Sequence, residues 1–258
     1  MLLTIDVGNT NTVLGVFDGD DLRVHWRLTT RREQTADEYG ILVRNLFSGS
    51  DLEPDRIEGV ALASVVPPLT PVLVELARQY LVQEPLVVEP GVKTGMPILY
   101  EPPGDVGADR ILNGVAAFAA YGGPVVVVDF GTATTFDVIT GRGEYSGGVI
   151  CPGIGISADA LFQRAARLPR VDVRDPGAVI GRSTVTSMQS GLYFGYAAMC
   201  EGIIGRIRKE LGEPARVVAT GGLAETLSVE IPSIEAVDPV LTLAGLRLIW
   251  ERNREPPE

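Results

Sequence analysis

Apolar residues in this chain fall in short runs that end in acids or glycine-rich turns, separated by stretches with helical spacing. Leu2 to Asp6 and Thr12 to Asp18 read as strands, and Leu22 to Leu28 alternates as a third after the turn Gly19-Asp20-Asp21. Thr35 and Glu38 have the spacing of a capping box ahead of Ile41, Leu42, Leu46 and Phe47, so a helix is predicted to start near Ala36. Gly59 to Ser64 reads as a buried strand. Pro67-Pro68 opens a helix carrying Val72, Leu73, Leu76 and Tyr80, and Pro85 to Glu89 is a further strand. The stretch from Pro90 to Asp105 is rich in proline and glycine, which predicts a loop, a boundary or a binding segment.

The second half repeats the plan. An alanine-rich helix is predicted over Asp109 to Tyr121. Val125 to Asp129 is an unbroken β-branched run closed by an acid, as expected for a strand buried on both faces. Phe136 to Thr140 and Gly147 to Ile150 read as strands. Helices follow at about Ile156–Arg167 and Thr186–Leu211, the second with candidate kinks at Gly191, Gly195 or Gly202. Arg216 to Ala219 is a strand and Pro239 to Arg252 a final helix. Asp6-Val7-Gly8-Asn9-Thr10-Asn11-Thr12 aligns without a gap to Asp129-Phe130-Gly131-Thr132-Ala133-Thr134-Thr135, an offset of 129 − 6 = 123 residues. In both copies a strand ends in Asp-x-Gly, passes through small hydroxyl or amide residues and continues into two more strands. The expectation is an α/β protein of two similar halves, 1–108 and 109–258.

Composition narrows the chemistry. The chain has 258 residues, with 33 acidic and 22 basic side chains, a formal net charge of −11, one histidine and two cysteines. An acidic excess without a basic stripe argues against a nucleic-acid partner. His25 alone cannot build a multi-histidine metal site, and Cys151 and Cys200 cannot build a cysteine-rich zinc module. Catalysis is left to carboxylates, hydroxyls, backbone amides, arginine and the metal ions that such groups hold. No apolar run reaches the roughly 20 residues of a membrane span, and the first residues lack the pattern of a signal peptide. A cytoplasmic protein with two free thiols is expected.

An Asp-x-Gly-x-Thr turn between antiparallel strands suits phosphate binding. Glycine lets the backbone approach a ligand, and successive N–H groups with nearby hydroxyls can surround phosphate oxygens. The preceding aspartate can hold a hydrated Mg²⁺ that neutralises phosphate charge. Two facing copies would grip a polyphosphate from both sides. A third element, Ala219-Thr220-Gly221-Gly222-Leu223, follows a strand and opens a helix, where a flat adenosine group could lie against bare backbone.

Together, Asp6-Val7-Gly8-Asn9-Thr10, Gly107-Ala108-Asp109-Arg110, the Asp129 to Thr135 turn and Gly147-Gly148-Val149-Ile150-Cys151-Pro152-Gly153 resemble the type III pantothenate kinases over essentially the whole length. That resemblance implies the acetate kinase/sugar kinase/Hsp70/actin superfold: two ribonuclease H-like, actin-like domains with an ATP cleft between them. It implies ATP-dependent phosphorylation of pantothenate to 4′-phosphopantothenate, the first step of coenzyme A synthesis. By the same resemblance, Asp6, Val7, Gly8, Asn9, Thr10, Asn11, Thr12 and Val13 form the ATP phosphate loop, with Asp6 near Mg²⁺ through the phosphates and Thr132 also touching ATP. Asp109 is implied as the base that takes the hydroxyl proton of pantothenate. Tyr100, Gly107, Ala108, Asp109, Arg110 and Thr184 would bind that substrate. Asp129 would hold a monovalent cation, K⁺ or NH₄⁺, and a homodimer is implied, with the helix from Thr186 as the candidate interface.

The residues support part of this independently. Asp109 lies in the first turn of a helix, where the helix dipole favours its ionised form and leaves the carboxylate able to accept a proton. Gly153-Ile154-Gly155-Ile156-Ser157-Ala158 matches a dinucleotide fingerprint, but Cys151-Pro152 breaks its approach and Asp172 follows in no clear strand. His25 alternates with Val24 and Trp26, which predicts a solvent-facing strand histidine. Two other readings remain: another small-molecule kinase of the superfold, and an accessory regulatory protein that keeps the fold without the reaction. Intact Asp6, Asp109 and Asp129 favour the enzyme.

Overall fold

The computed structural model describes residues 1–254. Its two five-stranded sheets have the same topology. The first runs β3-β2-β1-β4-β5, built from β1 (Leu2–Val7), β2 (Asn11–Asp18), β3 (Asp21–Thr29), β4 (Gly59–Ser64) and β5 (Leu86–Val87). The second runs β10-β9-β6-β7-β8, built from β6 (Val125–Phe130), β7 (Ala133–Ile139), β8 (Tyr145–Pro152), β9 (Arg216–Thr220) and β10 (Ala236–Val237). In each, an antiparallel meander of three strands is extended by two parallel strands, so β1 corresponds to β6 and β4 to β9.

The internal repeat is therefore a repeat of topology, but its ungapped alignment slips by one. Asp6 pairs with Val13 across the first turn, whereas Asp129 pairs with Thr135 across the second. The offset is 129 − 6 = 123 before the turns and 135 − 13 = 122 after them, because the second turn is one residue shorter. Thr12 thus corresponds to Thr134, and both are buried.

The seven α-helices among the described residues are α1 (Ala36–Ser48), α2 (Thr70–Tyr80), α3 (Ala108–Tyr121), α4 (Ile154–Arg164), α5 (Thr184–Leu211), α6 (Ala224–Ser228) and α7 (Leu241–Asn253). α1 starts where its capping box predicts: Thr35 accepts from the Glu38 amide, and the Glu38 carboxylate accepts from the Thr35 amide at 2.8 Å. α5 runs unbroken through its glycines. Gly191, Gly195, Gly202 and Gly205 instead lie on an exposed stripe, where an added Cβ would meet nothing within 4 Å. The glycines do not interrupt the helix because intrahelical hydrogen bonds do not need side chains, and tertiary packing overrides the modest propensity cost of each glycine.

The compact units are not the two consecutive halves 1–108 and 109–258. One contains residues 1–97, 101–116 and, of the described C-terminal residues, 241–254; the other contains residues 98–100 and 117–240. The physical reason is α7, which returns to pack over β1, β2 and β4 of the first sheet. Two glycines make room for it: a Cβ on Gly15 would lie 2.8 Å from Leu243, and one on Gly59 would lie 2.5 Å from the Trp250 ring.

Within the first unit, Leu3, Ile5, Val7, Leu14 and Val16 pack with Tyr39, Val43, Phe47, Leu73 and Leu76 from α1 and α2. Within the second, Val126, Val128, Phe130, Phe136 and Val217 pack with Leu192, Tyr196, Cys200 and Ile204 from α5. Strand side chains alternate between faces. Asp6 and Asp129 therefore both point away from these clusters, on the opposite face of their sheets.

Candidate active site

The turn after Asp6 is closed by the Gly8 amide donating to the Asn11 carbonyl at 2.9 Å. Asp6, Gly8, Asn11 and Val13 are partly buried, while Asn9 and Thr10 are exposed at the tip. Val7 and Thr12 are buried, at 0% and 1% exposure, so they shape the turn from within and offer a ligand main chain alone. Gly8 lies so close to the Asn11 carbonyl (3.1 Å from an added Cβ) that a side chain would press on the turn.

The turn after Asp129 is closed in the same way, with the Gly131 amide donating to Ala133 at 3.1 Å. Thr132 is exposed at its tip, and its carbonyl accepts from the Gly153 amide at 3.1 Å. A Cβ on Gly153 would meet that carbonyl oxygen at 2.2 Å. The apparent dinucleotide fingerprint therefore has a different use: its first glycine is the N-cap of α4 and lets that helix start against the turn.

Gly221 closes the other side. Its φ is +93°, and an added Cβ would lie 2.5 Å from Asp129 Oδ1 and 2.7 Å from the Phe130 backbone. The Ala219 to Leu223 element, expected to bed a flat adenosine, lies against the Asp129 carboxylate. The sequence signal was the glycine pair itself; which atoms it approaches required the parallel pairing of β6 with β9, which sets Asp129 beside Thr220.

Asp109 is the second residue of α3 and partly buried. Its Oδ1 accepts from the Arg110 amide at 2.9 Å and lies 2.5 Å from where a Gly107 Cβ would be, so Gly107 is needed for the carboxylate to fold back over the helix start. Burial pushes the Asp109 carboxyl above its ordinary value, against smaller lowering effects of the Arg110 backbone amide and the Arg110 charge. The expectation from the helix dipole alone had the opposite sign; desolvation wins because water is largely kept from this carboxyl. Arg110 is buried at 7% exposure.

Tyr100 belongs to a short segment, residues 98–100, held within the second unit. Ile98 bridges to Tyr145, the Leu99 amide donates to the Tyr145 carbonyl at 2.9 Å, and the Tyr100 and Tyr145 rings meet edge-on at 6.4 Å. Tyr145 is fully buried and donates its hydroxyl to Asp137 Oδ1 at 2.7 Å, while Thr135 donates to Asp137 Oδ2 at 3.0 Å. This buried support was not foreseen, because no local pattern marks it. Thr184 is exposed at the first position of α5, behind a Ser183–Thr186 capping box.

The expected site residues thus fall in two sets. Asp6 to Val13 and Gly107 to Arg110 lie in the first unit, and Tyr100, Asp129, Thr132 and Thr184 in the second. Among the described residues no group of three or more His, Cys, Asp or Glu forms a ready metal cage. Asp6 and Asp129 each stand beside a turn with close-set backbone groups. Single carboxylates of this kind fit ions that fill their coordination with phosphate and water oxygens.

The family model for type III pantothenate kinase matches residues 2–206. A type III pantothenate kinase of Moorella thermoacetica is 57% identical over 253 residues, covering 98% of this chain and 100% of that one. Among solved structures, the activator of 2-hydroxyisocaproyl-CoA dehydratase from Clostridium difficile with bound ADPNP superposes with a TM-score of 0.56 at 12% identity, covering 100% and 99% of the two chains. An inorganic polyphosphate/ATP-glucomannokinase from Arthrobacter superposes with a TM-score of 0.51 at 16% identity, covering 98% and 99%. The two structural likenesses carry the fold alone, the expected actin-like and sugar kinase superfold.

Proposed function

Since the chain belongs to the type III pantothenate kinase family and phosphorylates pantothenate with ATP in coenzyme A synthesis, we propose how its residues divide that work. Asp109 takes the proton from the pantothenate hydroxyl. Its raised carboxyl is a stronger base than an ordinary aspartate, and phosphoryl transfer asks little more of a base than position. Tyr100, Gly107, Ala108, Arg110 and Thr184 hold pantothenate, with Arg110 matched to an anionic group. Asp6 to Val13 and Thr132 receive ATP through turn amides and hydroxyls.

The family reaction uses ATP with a divalent metal, which neutralises phosphate charge when bound. Asp6 is the carboxylate proposed to face it through the phosphates. Asp129 is proposed to hold the monovalent cation, K⁺ or NH₄⁺. The observation that carries the reading is the pair of equivalent Asp-x-Gly turns at the ends of β1 and β6, together with a base on its own helix start. A coupled ADP-release assay should show turnover with pantothenate and none with a panel of sugars and short-chain acids. Turnover confined to a sugar or acyl acid would establish the other small-molecule kinase instead, and ATP binding without any turnover would establish the accessory protein.

A homodimer is part of the proposal. The glycine stripe of α5 leaves its backbone open to close approach, and Ile156, Phe162, Val179 and Ile180 are exposed on α4 and the chain leading to α5. Light scattering should give the mass of two chains; the mass of one would contradict it. Cytoplasmic residence is proposed from the chemistry, since Cys151 and Cys200 are both free thiols. Among the described residues no helix is long and apolar enough to cross a membrane.

A further inference from the structure

The turn after Asp6 is held from outside by the chain that leaves β3. Thr30, the first residue beyond that strand, turns back on it at three points. Its amide donates to the Thr10 carbonyl at 3.0 Å, and its hydroxyl donates to the Gly8 carbonyl at 2.7 Å. With that proton committed, the Thr12 hydroxyl donates to Thr30 Oγ1 at 3.0 Å. Residues 8, 10 and 12 of the turn are thereby fixed to one threonine. Two residues further on, Arg32 Nη2 donates to Asn9 Oδ1 at 3.2 Å, at the exposed tip of the same turn.

An exposed arginine that meets an amide is worth little by itself. Here the backbone two residues away is pinned to the turn, so the guanidinium is kept at the tip at a reduced cost in chain entropy. A guanidinium carries five N–H donors, so one spent on Asn9 leaves others in fork geometry for phosphate oxygens. The turn otherwise offers amides, hydroxyls and a carboxylate, and the chain as a whole is acidic, at −11. A fixed positive charge at this point offsets the repulsion between that acidity and a polyphosphate.

We propose that Arg32 binds the phosphates of the nucleotide and that Thr30 is the positioning residue that holds both Arg32 and the turn in place. This rests on the reading of Asp6 to Val13 as the ATP phosphate loop.

The test titrates Mg²⁺·ADP into the purified full chain by calorimetry and measures KM for ATP and for pantothenate. Arg32→Ala should weaken ADP binding and raise KM for ATP about tenfold, the size of one charge-assisted contact. KM for pantothenate should stay unchanged, and Arg32→Lys should recover part of the loss. ADP affinity should also lose part of its dependence on salt in Arg32→Ala. Thr30→Val should weaken ADP binding at temperatures where the chain is still folded, with a lower melting temperature from the lost bonds, and Thr30→Ser, which keeps the hydroxyl, should restore both. ADP affinity and ATP KM at the wild-type level in Arg32→Ala would overturn the binding role. Wild-type ADP affinity in Thr30→Val, or a loss matched by a fall in melting temperature that Thr30→Ser does not reverse, would overturn the positioning role. Because ADP binding is read without pantothenate, failure of this proposal is distinct from failure of the kinase assignment. If the wild-type chain binds no nucleotide at all, the phosphate-loop reading itself falls.

Discussion

Asp109→Asn is expected to lower kcat by about 10²–10⁴-fold while the protein stays folded, the range that a positioned base supplies. Asparagine keeps the shape and can still accept the Arg110 amide at the helix start, but it cannot take a proton. The variant should also be no less stable than the wild type above the folded pKa of Asp109. Burial raises the Asp109 carboxyl in the folded protein above its value of 3.8 in an unfolded chain. The folded state therefore binds the proton more tightly than the unfolded state. Its contribution to stability is complete below the unfolded pKa and is lost as pH rises through the folded one. Above its folded pKa, Asp109 is a desolvated charge that asparagine removes, so there the variant's melting temperature should match or exceed the wild type's. That difference should vanish in acid, where both side chains are neutral. The same shift places the acidic limb of the kcat/KM profile above that of an ordinary aspartate. Full activity in Asp109→Asn, or an acidic limb at the ordinary aspartate value, would remove Asp109 as the base.

Gly221→Ala is the second large effect. The methyl would enter a backbone at φ +93° and lie 2.5 Å from Asp129 Oδ1. The backbone strain alone costs about 1–3 kcal/mol, and relief of the clash must displace either the carboxylate or the Phe130 main chain. Thermal melts should show the loss of stability. Activity should fall further than the melt accounts for, because moving either group disturbs the turn whose Asp129 carboxylate is proposed to hold the monovalent cation. Saturating K⁺ should recover only part of the rate. A variant with wild-type rate and wild-type dependence on K⁺ would show that the Asp129 turn does not need this glycine.

Much of the fold was legible because its signals are local. The capping box at Thr35 and Glu38 set the start of α1, and the β-branched run from Val125 placed β6. His25 is exposed on β3, as its alternation with Val24 and Trp26 predicted. The repeat was legible because each strand ends in the same Asp-x-Gly. Its one-residue slip was not, since the shorter second turn shows only in which residues pair across it. The return of α7 to the first sheet also escaped. An amphipathic helix carries no mark of which sheet it will cover, and the spaces left at Gly15 and Gly59 have meaning only once Leu243 and Trp250 fill them.

The site divides along the same line. The acids Asp6, Asp109 and Asp129 stand in recognisable turns and a helix start, so they could be named directly. Their supports could not. Thr30 reaches the first turn from 18 residues beyond Thr12 in sequence, and Gly221 reaches Asp129 through a parallel strand pair. The direction of the Asp109 shift was misjudged from sequence because the helix dipole is a local property, whereas desolvation depends on everything packed around the carboxyl.

The most direct measurement is ADP release by the purified chain with ATP, Mg²⁺ and pantothenate, run in parallel with K⁺, NH₄⁺ and Na⁺, with the phosphorylated product identified by mass. Pantothenate-dependent ADP release, strong with K⁺ or NH₄⁺ and weak with Na⁺, is the predicted result, and it should become insensitive to the cation in Asp129→Ala. Absence of pantothenate-dependent turnover under every cation would contradict the account.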